Sequence, residues 1–463
     1  MRHTVAMSGN ASSDSVISVA LARLEDIDPA AALDARNALE WLIGDSATEG
    51  SLESLCRFGL QQFCWYELPF KWIVAPSVRV EVVRALARFF DLAGMPRYAD
   101  VCRGDLTIEV LLAWTKNATE GYEAFDRAMK ASGLEPPNLP ELTWSVGMEP
   151  EEDAAFWSTA MALEIAIDAG ELEPGARGWR RRQVEIARAH LTTARDDRLG
   201  ESLLQSVMTE RLAGWIDGGW GQGPPSEARR QMLRPITNAL VAPQDVPRAA
   251  ARALAAVTWV LRAIDGDGTG TLLTQQLRLP RAVVQAAATA HPRWWDGDRP
   301  PQRESDLPEL EALHQLIRSM RMVRRNGRRL TLTARGRDAI DDPAVLWPAV
   351  ASSLTEHRDF QAAATELVLA GLLIEPLADA DLLEAEVLVV LTECGWHHGA
   401  SGEPIPHEVM RTVMQEIERT LVVLGAVRSK GAQWDRRQWR LTDTGRALAL
   451  AALRTRAMAP RRA

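Results

Sequence analysis

The residues whose types and spacing best suit chemistry are arginines grouped in the last third of the chain. Between Arg321 and Arg337 the sequence holds seven arginines and no acidic residue. A guanidinium group donates hydrogen bonds in a planar fork that matches phosphate oxygens, so this cluster suits contacts to a nucleic-acid backbone. The whole chain carries a net charge of −9, which argues against a protein that is basic over its entire surface. The placement of the arginines is therefore more informative than their number.

A short motif inside this cluster recurs near the C-terminus. Leu-Thr-x-x-Gly-Arg covers 332–337 and again 441–446, at an offset of 441 − 332 = 109 residues. Before the first copy, Asn326-Gly327 is a favoured two-residue hairpin turn, because both residues tolerate positive φ. Thr333 and Thr442 occupy the positions of helix N-caps, where a hydroxyl accepts a bond from a free backbone N–H group. The pattern predicts, in both copies, a basic hairpin that runs directly into a helix.

An amphipathic helix is expected before each hairpin, over 308–320 in the first copy and 407–424 in the second. Helix, basic hairpin and helix in this order resemble the winged-helix proteins, such as the MarR-like and PadR-like regulators. The resemblance covers 307–340 and 387–453, and the N-terminal part of the chain matches no family. It implies that the helix before each hairpin, or wing, enters the major groove of DNA and that the wing contacts phosphates.

The resemblance implies candidate contacts to double-stranded DNA on both elements of each copy. The predicted nucleic-acid-binding residues are Arg318, Arg324, Arg325, Arg328, Arg329, Arg411, Arg436, Arg437 and Arg440. Glutamates on the helices before the wings, such as Glu311 and Glu416, fit this function less well because carboxylates repel phosphates. Almost all basic residues are arginines, and GC-rich codon usage is favoured as the explanation over selection for bidentate phosphate contacts. A second arginine-rich turn, 175–182, could clamp a phosphate, but a solvated loop is the favoured interpretation.

Patterns for catalysis and for metal binding are weak, and we predict no catalytic residue, no metal site and no cofactor. The single Cys/His cluster consists of Cys394, His397, His398 and His407. It lacks the second close pair that tetrahedral zinc usually has. The segment 265–276 resembles a calcium loop, but its twelfth position is Gln276, which cannot supply a bidentate carboxylate. The chain has no Gly-x-Ser-x-Gly motif, and its paired carboxylates fall at helix ends. These observations favour a protein that is not an enzyme, and the least supported alternative is an enzyme with a site in the helical body around Trp65–Trp72.

Length and composition indicate a multidomain globular protein. The chain has 463 residues, of which 46% are hydrophobic. No apolar run reaches the length that spans a bilayer, and residues 1–15 do not read as a signal peptide, so we expect no membrane partner. Four scattered cysteines suit a reducing compartment better than a disulfide framework. We therefore predict a cytoplasmic location.

The predicted fold class is mainly α, with a multi-helical N-terminal body followed by two winged-helix-like units that have short β-hairpin wings. The predicted domains are an N-terminal helical domain over 1–135, a middle helical domain over 149–264, and winged-helix-like domains over 265–354 and 360–456. Within the third domain, apolar spacing predicts a helix pair over 272–290.

Two classes of function follow from this organisation. The favoured one is a non-catalytic, regulatory protein that binds double-stranded DNA through tandem winged-helix units. The alternative is a structural or assembly protein whose winged-helix units contact protein partners or a second copy of the chain. Duplex binding that weakens steeply with salt distinguishes the first class from the second.

Overall fold

The protein is described from a computed structural model. The structure describes residues 10–43, 55–195, 200–218, 225–242, 245–356, 359–399, 402–430 and 437–460, with side chains from residue 16 onward. The chain is mainly helical, as predicted, and forms two small antiparallel sheets of three strands each. It divides into two compact units, Met1–Val207 with Pro460–Ala463, and Met208–Ala459.

The first unit is built from helices within the described ranges. These are α1 (Asn10–Ile27), α2 (Pro29–Ile43), α3 (Arg57–Gln62), α4 (Leu68–Lys71), α5 (Pro76–Leu92), α6 (Pro96–Arg103), α7 (Asp105–Lys116), α8 (Ala118–Ser132), α9 (Pro150–Asp168) and α10 (Trp179–Thr192). A π-helical turn, Phe63–Glu67, connects α3 to α4. The last helix, α11 (Leu203–Gly218), crosses the boundary into the second unit.

Aromatic side chains form much of the core of the first unit. Phe63 and Trp65 are buried, and the Trp65 indole donates a hydrogen bond to the Thr107 hydroxyl at 2.7 Å. Phe58 on α3 packs edge-to-face against Phe156 on α9, with ring centroids 5.5 Å apart. Helix α9 therefore shares the core formed by the preceding helices, and the finer division of the chain into four domains stays a prediction.

The second unit alternates helices with single strands. Its helices are α12 (Glu227–Leu233), α13 (Thr237–Val241), α14 (Ala250–Ala253), α15 (Ala255–Asp265), α16 (Arg281–Ala290), α17 (Pro308–Ser319), α18 (Ala334–Asp341), α19 (Pro343–Ser353), α20 (Phe360–Ile374), α21 (Ala380–Glu393), α22 (His407–Val423) and α23 (Asp443–Ala457). Its strands are β1 (Thr271–Leu272), β2 (Val323–Asn326), β3 (Arg329–Leu332), β4 (Leu377–Asp379), β5 (Val427–Lys430) and β6 (Gln438–Leu441).

The two sheets have the same strand order and the same antiparallel pairing. In the first sheet β3 lies between β1 and β2, and in the second β6 lies between β4 and β5. The predicted helix at the start of 272–290 is wrong, because Leu272 pairs with Arg329 as part of β1 and the helix begins only at Arg281. A strand of two residues is too short to show the alternation that identifies strands in a sequence.

One continuous apolar core runs through the whole second unit. Helix α20 lies within it, since every residue from Ala362 to Leu373 is buried, as expected for a helix that is apolar on all faces. Trp439 of β6 is fully buried in the same core. Helices α17 and α22, which precede the two hairpins, contact one another. None of the helices in the described ranges combines the length and apolar character that crossing a bilayer requires.

Candidate nucleic-acid interface

The recurring Leu-Thr-x-x-Gly-Arg motif joins each hairpin to the helix that follows it. In the first copy the Thr333 hydroxyl accepts a hydrogen bond from the Gly336 N–H group at 3.1 Å and donates to the Arg321 carbonyl at 3.0 Å. The Thr333 N–H group donates to the Met322 carbonyl at 2.9 Å. A Cβ atom on Gly336 would lie 2.1 Å from that same carbonyl oxygen. Glycine is needed here because α18 crosses directly over the chain that enters β2.

The second copy repeats this arrangement around Thr442. Its hydroxyl accepts from the Gly445 N–H group at 2.9 Å and donates to the Gly425 carbonyl at 2.8 Å. A Cβ atom on Gly445 would lie 2.0 Å from the Ala426 carbonyl oxygen. The threonine and glycine of the motif therefore have a structural explanation in both copies, because they position each hairpin against the helix that follows it.

The turn of the first hairpin is one residue later than predicted. Asn326 pairs with Arg329, so the two turn residues are Gly327 and Arg328 rather than Asn326 and Gly327. Gly327 has a φ of 58°, and glycine adopts this left-handed conformation without steric cost. The shift matters for the site because it pairs Arg324 with Thr331 and Arg325 with Leu330, so neither arginine lies directly opposite another arginine.

The face of the first hairpin that points away from the core carries Arg324. Val323, Leu330 and Leu332 are buried on the opposite face. The side chains of Arg324 and Arg325 are exposed, and within the described ranges neither guanidinium group forms a hydrogen bond or an ion pair. Both groups are therefore accessible to an external anion.

Two other arginines of the first hairpin bind the protein itself. The Arg328 guanidinium donates to the Leu273 carbonyl from Nε at 3.0 Å and from Nη2 at 2.7 Å. Arg329 Nη1 donates to the Thr269 carbonyl at 3.0 Å. These bonds tie the hairpin to the segment on either side of β1, so the predicted binding role of Arg328 and Arg329 competes with a structural one.

The second hairpin carries a like-charged pair on its outer face. Arg428 of β5 lies directly opposite Arg440 of β6, and such partners have Cβ atoms about 4.5–5.5 Å apart. Both side chains are exposed, and neither forms an ion pair within the described part of the chain. Like charges in this position destabilise a sheet, and an anion that bound between them would relieve the repulsion.

Arg428 is not among the binding residues predicted from the sequence. Arg324 pairs with Thr331 and Arg428 pairs with Arg440. Thr331 and Arg440 each stand directly before the leucine that begins the motif, so Arg324 and Arg428 occupy equivalent positions. Arg324 and Arg428 are 428 − 324 = 104 residues apart, whereas the two copies of the motif are 109 residues apart. The difference arises because two residues connect the strands of the first hairpin, whereas residues 431–437 connect those of the second. The motif offset of 109 residues therefore does not align β2 with β5.

Arg437 forms ion pairs with acidic side chains of the protein. Its guanidinium nitrogens lie 3.0 Å from an Asp381 oxygen, 3.8 Å from a Glu384 oxygen and 3.5 Å from a Glu418 oxygen. Burial raises the pKa of Glu384, and the charges of Arg411 and Arg437 oppose that shift. Arg437 is thus a poor phosphate ligand in this conformation. The predicted residue Arg436 lies outside the described residues.

The two helices before the hairpins present few arginines. Arg318 on α17 and Arg411 on α22 are exposed. The contact between α17 and α22 covers part of each helix. Beside this contact lies a cleft of about 260 Å³ whose lining includes Gln315 and Thr420. The packing of α17 against α22 therefore removes part of each helix from the surface that a duplex could contact.

The weaker motifs have local structural roles. Asp267 accepts hydrogen bonds from the Thr269 hydroxyl at 2.7 Å and from the Thr269 N–H group at 3.1 Å, as a turn residue does. Across the described ranges, no three His, Cys, Asp or Glu side chains come close enough to share a metal ion. In the arginine-rich turn, Arg181 and Arg182 pair with Glu185.

No protein-family model matches the sequence, and no curated protein or solved structure matches it either.

Proposed function

We propose that this protein binds double-stranded nucleic acid through the backbone phosphates, using the outer faces of two winged-helix-like hairpins. The order helix, strand, helix, helix and hairpin occurs twice in the second unit. In each copy the second strand of the hairpin, β3 or β6, also pairs with the single strand that comes earlier in the chain, β1 or β4. This repeated order supports the winged-helix interpretation of both copies.

The observation that carries the proposal is the set of Arg324, Arg428 and Arg440. Arg324 and Arg428 are exposed at equivalent positions of the two hairpins. The positive charges of Arg428 and Arg440 repel each other unless an anion lies between them. Because these groups contact phosphates and no base edge, the expected binding is independent of base sequence and depends strongly on salt.

The test compares wild-type protein with the variant Arg324→Glu/Arg428→Glu/Arg440→Glu. Arg328 and Arg329 are left unchanged, because their loss would also remove bonds that hold the hairpin. Binding to a labelled mixed-sequence duplex is measured by fluorescence anisotropy at low and moderate salt. The expected result is binding by the wild type that weakens steeply with salt and is abolished in the variant.

A matched control is Arg23→Glu/Arg127→Glu/Arg252→Glu, which changes the net charge by the same amount at exposed positions outside the two hairpins. Equal loss of affinity in both variants would assign the effect to total charge and refute the proposal. Absence of duplex binding by the wild type at low salt would refute it as well.

A second candidate function is assembly with protein partners. It is favoured by the mutual contact of α17 and α22 and by the three carboxylates around Arg437. Under this function the wings face protein, and the same duplex measurement would show no salt-sensitive binding.

A further inference from the structure

An open apolar groove lies in the second unit between α12, the end of α20 and α21. Its volume is about 490 Å³. Apolar side chains line it, and several of them are left in contact with water. The apolar lining includes Ala228, Met232, Ile374, Leu382 and Val389. We call this surface the α21 groove.

Two apolar side chains on one face of α21 are largely exposed to water. Leu382 is 66% exposed and Val389 is 54% exposed. They are seven residues apart, which is two turns or about 10 Å along one helix face. Ile374, at the end of α20, is also exposed. Contiguous exposed apolar surface of this kind marks interaction sites, and a groove with this spacing fits the apolar stripe of one helix.

Acidic groups border the groove. Glu375 and Glu386 line it and are exposed, and neither forms an ion pair within the ranges that the structure describes. Asp379 also lines it and caps α21 by accepting from the Asp381 and Leu382 N–H groups. The rim is therefore negative, and this restricts the chemistry of what can bind.

We infer that the α21 groove binds a helix of a partner protein that has an apolar stripe flanked by lysine or arginine residues. Two-fold pairing of two copies of the chain would place Glu375 and Glu386 of both copies in one interface, where like charges repel. A basic helix instead places cations beside both glutamates. Arg324, Arg428 and Arg440 do not line the groove, so the inference goes beyond nucleic-acid binding and does not depend on it.

The probe for the test is a labelled helical peptide of leucine and lysine, with leucines at helical spacing along one face. Binding is measured by fluorescence anisotropy with the full chain. The variant Leu382→Ser/Val389→Ser is expected to bind at least about tenfold more weakly, as is Glu375→Lys/Glu386→Lys. Both changes lie at exposed positions, so the melting temperature should stay close to that of the wild type.

The matched control is Val422→Ser, a change at an exposed valine of α22 outside the groove lining, which should leave the affinity unchanged. A second control is a peptide of the same composition with its leucines scrambled, which should bind weakly. Equal binding of the two peptides, or unchanged affinity in both groove variants, would overturn the inference. Sedimentation analysis without peptide provides a further check, because a dimer that dissociates in Leu382→Ser/Val389→Ser would assign the groove to a second copy and overturn the partner helix.

Discussion

Arg321 and Gly425 occupy equivalent positions, each ending the helix before a hairpin in a left-handed backbone conformation. Their φ angles are 54° and 66°. In both places the next residue donates back to the helix, from Met322 to the Ile317 carbonyl at 3.1 Å and from Ala426 to the Leu421 carbonyl at 2.8 Å. This is the helix termination that favours glycine, and arginine is strained there.

Replacing Arg321 with glycine should therefore stabilise the protein. The relief of left-handed strain exceeds the added flexibility of the unfolded chain, and the expected gain is up to about 1 kcal/mol. The reverse change, Gly425→Ala, should cost about 1 kcal/mol for the same reason. Urea unfolding measures both, and Arg321→Lys serves as a control because it keeps the charge and the strain. A lower midpoint for Arg321→Gly would contradict this account.

Alanine at either motif glycine should destabilise the second unit. A Cβ atom at Gly336 or Gly445 would lie about 2 Å from a backbone carbonyl oxygen, and backbone shifts of this kind cost about 1–3 kcal/mol. Thermal unfolding of Gly336→Ala and Gly445→Ala tests this expectation. Gly147→Ala is the control, because no atom lies within 4 Å of the added carbon. Motif variants as stable as that control would rule out the close approach.

Each outer-face arginine should contribute separately to the salt dependence of duplex binding. Replacing Arg324 or Arg428 with alanine is expected to reduce the slope of log affinity against log salt by about 1, because one fewer counterion is displaced. Arg437→Ala should change the slope far less, since carboxylates already surround that guanidinium group. Titrations of the single variants at several salt concentrations measure the slopes. Equal slopes for all three variants would not fit the contacts described.

A buried ion pair should be important for the stability of the second unit. Arg229 and Glu366 are fully buried, and Arg229 Nη2 lies 2.5 Å from a Glu366 oxygen. Removing Arg229 leaves the buried Glu366 carboxylate with only the more distant Arg456 guanidinium as a partner, so Arg229→Met is expected to cost about 3 kcal/mol, the lower end for a broken buried pair. The double variant Arg229→Met/Glu366→Leu should recover much of that loss, although Arg456 would then lose a carboxylate 3.6 Å away. A double-mutant cycle by urea unfolding measures the coupling energy between the two residues. Additive losses of unfolding free energy would show that the pair does not stabilise the fold.

Stability should fall in mild acid because of His190 in the first unit. Burial, and then the charge of Arg195, lower the pKa of His190. Its Nε2 lies 2.9 Å from the Ser158 hydroxyl and 3.0 Å from Arg195 Nη2, and arginine can only donate, so the imidazole is neutral. Since the folded pKa lies below the unfolded value of about 6.5, the stabilisation is complete above that pH and is lost as the pH falls.

The variant His190→Gln should therefore show a smaller decrease in stability between neutral pH and about pH 5.5 than the wild type. A remaining decrease is expected, because burial also lowers the pKa of His291. Urea midpoints at the two pH values give the comparison. An identical decrease in wild type and variant would exclude His190 as the cause.

Local chemistry made part of this architecture predictable from sequence. The threonine caps and the bounds of α17, α18 and α22 follow from capping and periodicity, which act over a few residues. Pairing between distant segments was not predictable in the same way. The strands β1 and β4 are too short to show alternation, and Arg229 meets Glu366 across 137 positions of the chain. The equivalence of Arg324 and Arg428 required the register that only the folded sheets provide.

The single apolar core of the second unit has a consequence for its folding. Helices α17, α20 and α22 bury their apolar faces in one cluster, so neither hairpin has a hydrophobic interior of its own. Cutting the chain between α19 and α20 would expose large apolar surfaces of both fragments to water. In the intact chain, the two halves of the second unit should unfold on heating in one cooperative transition.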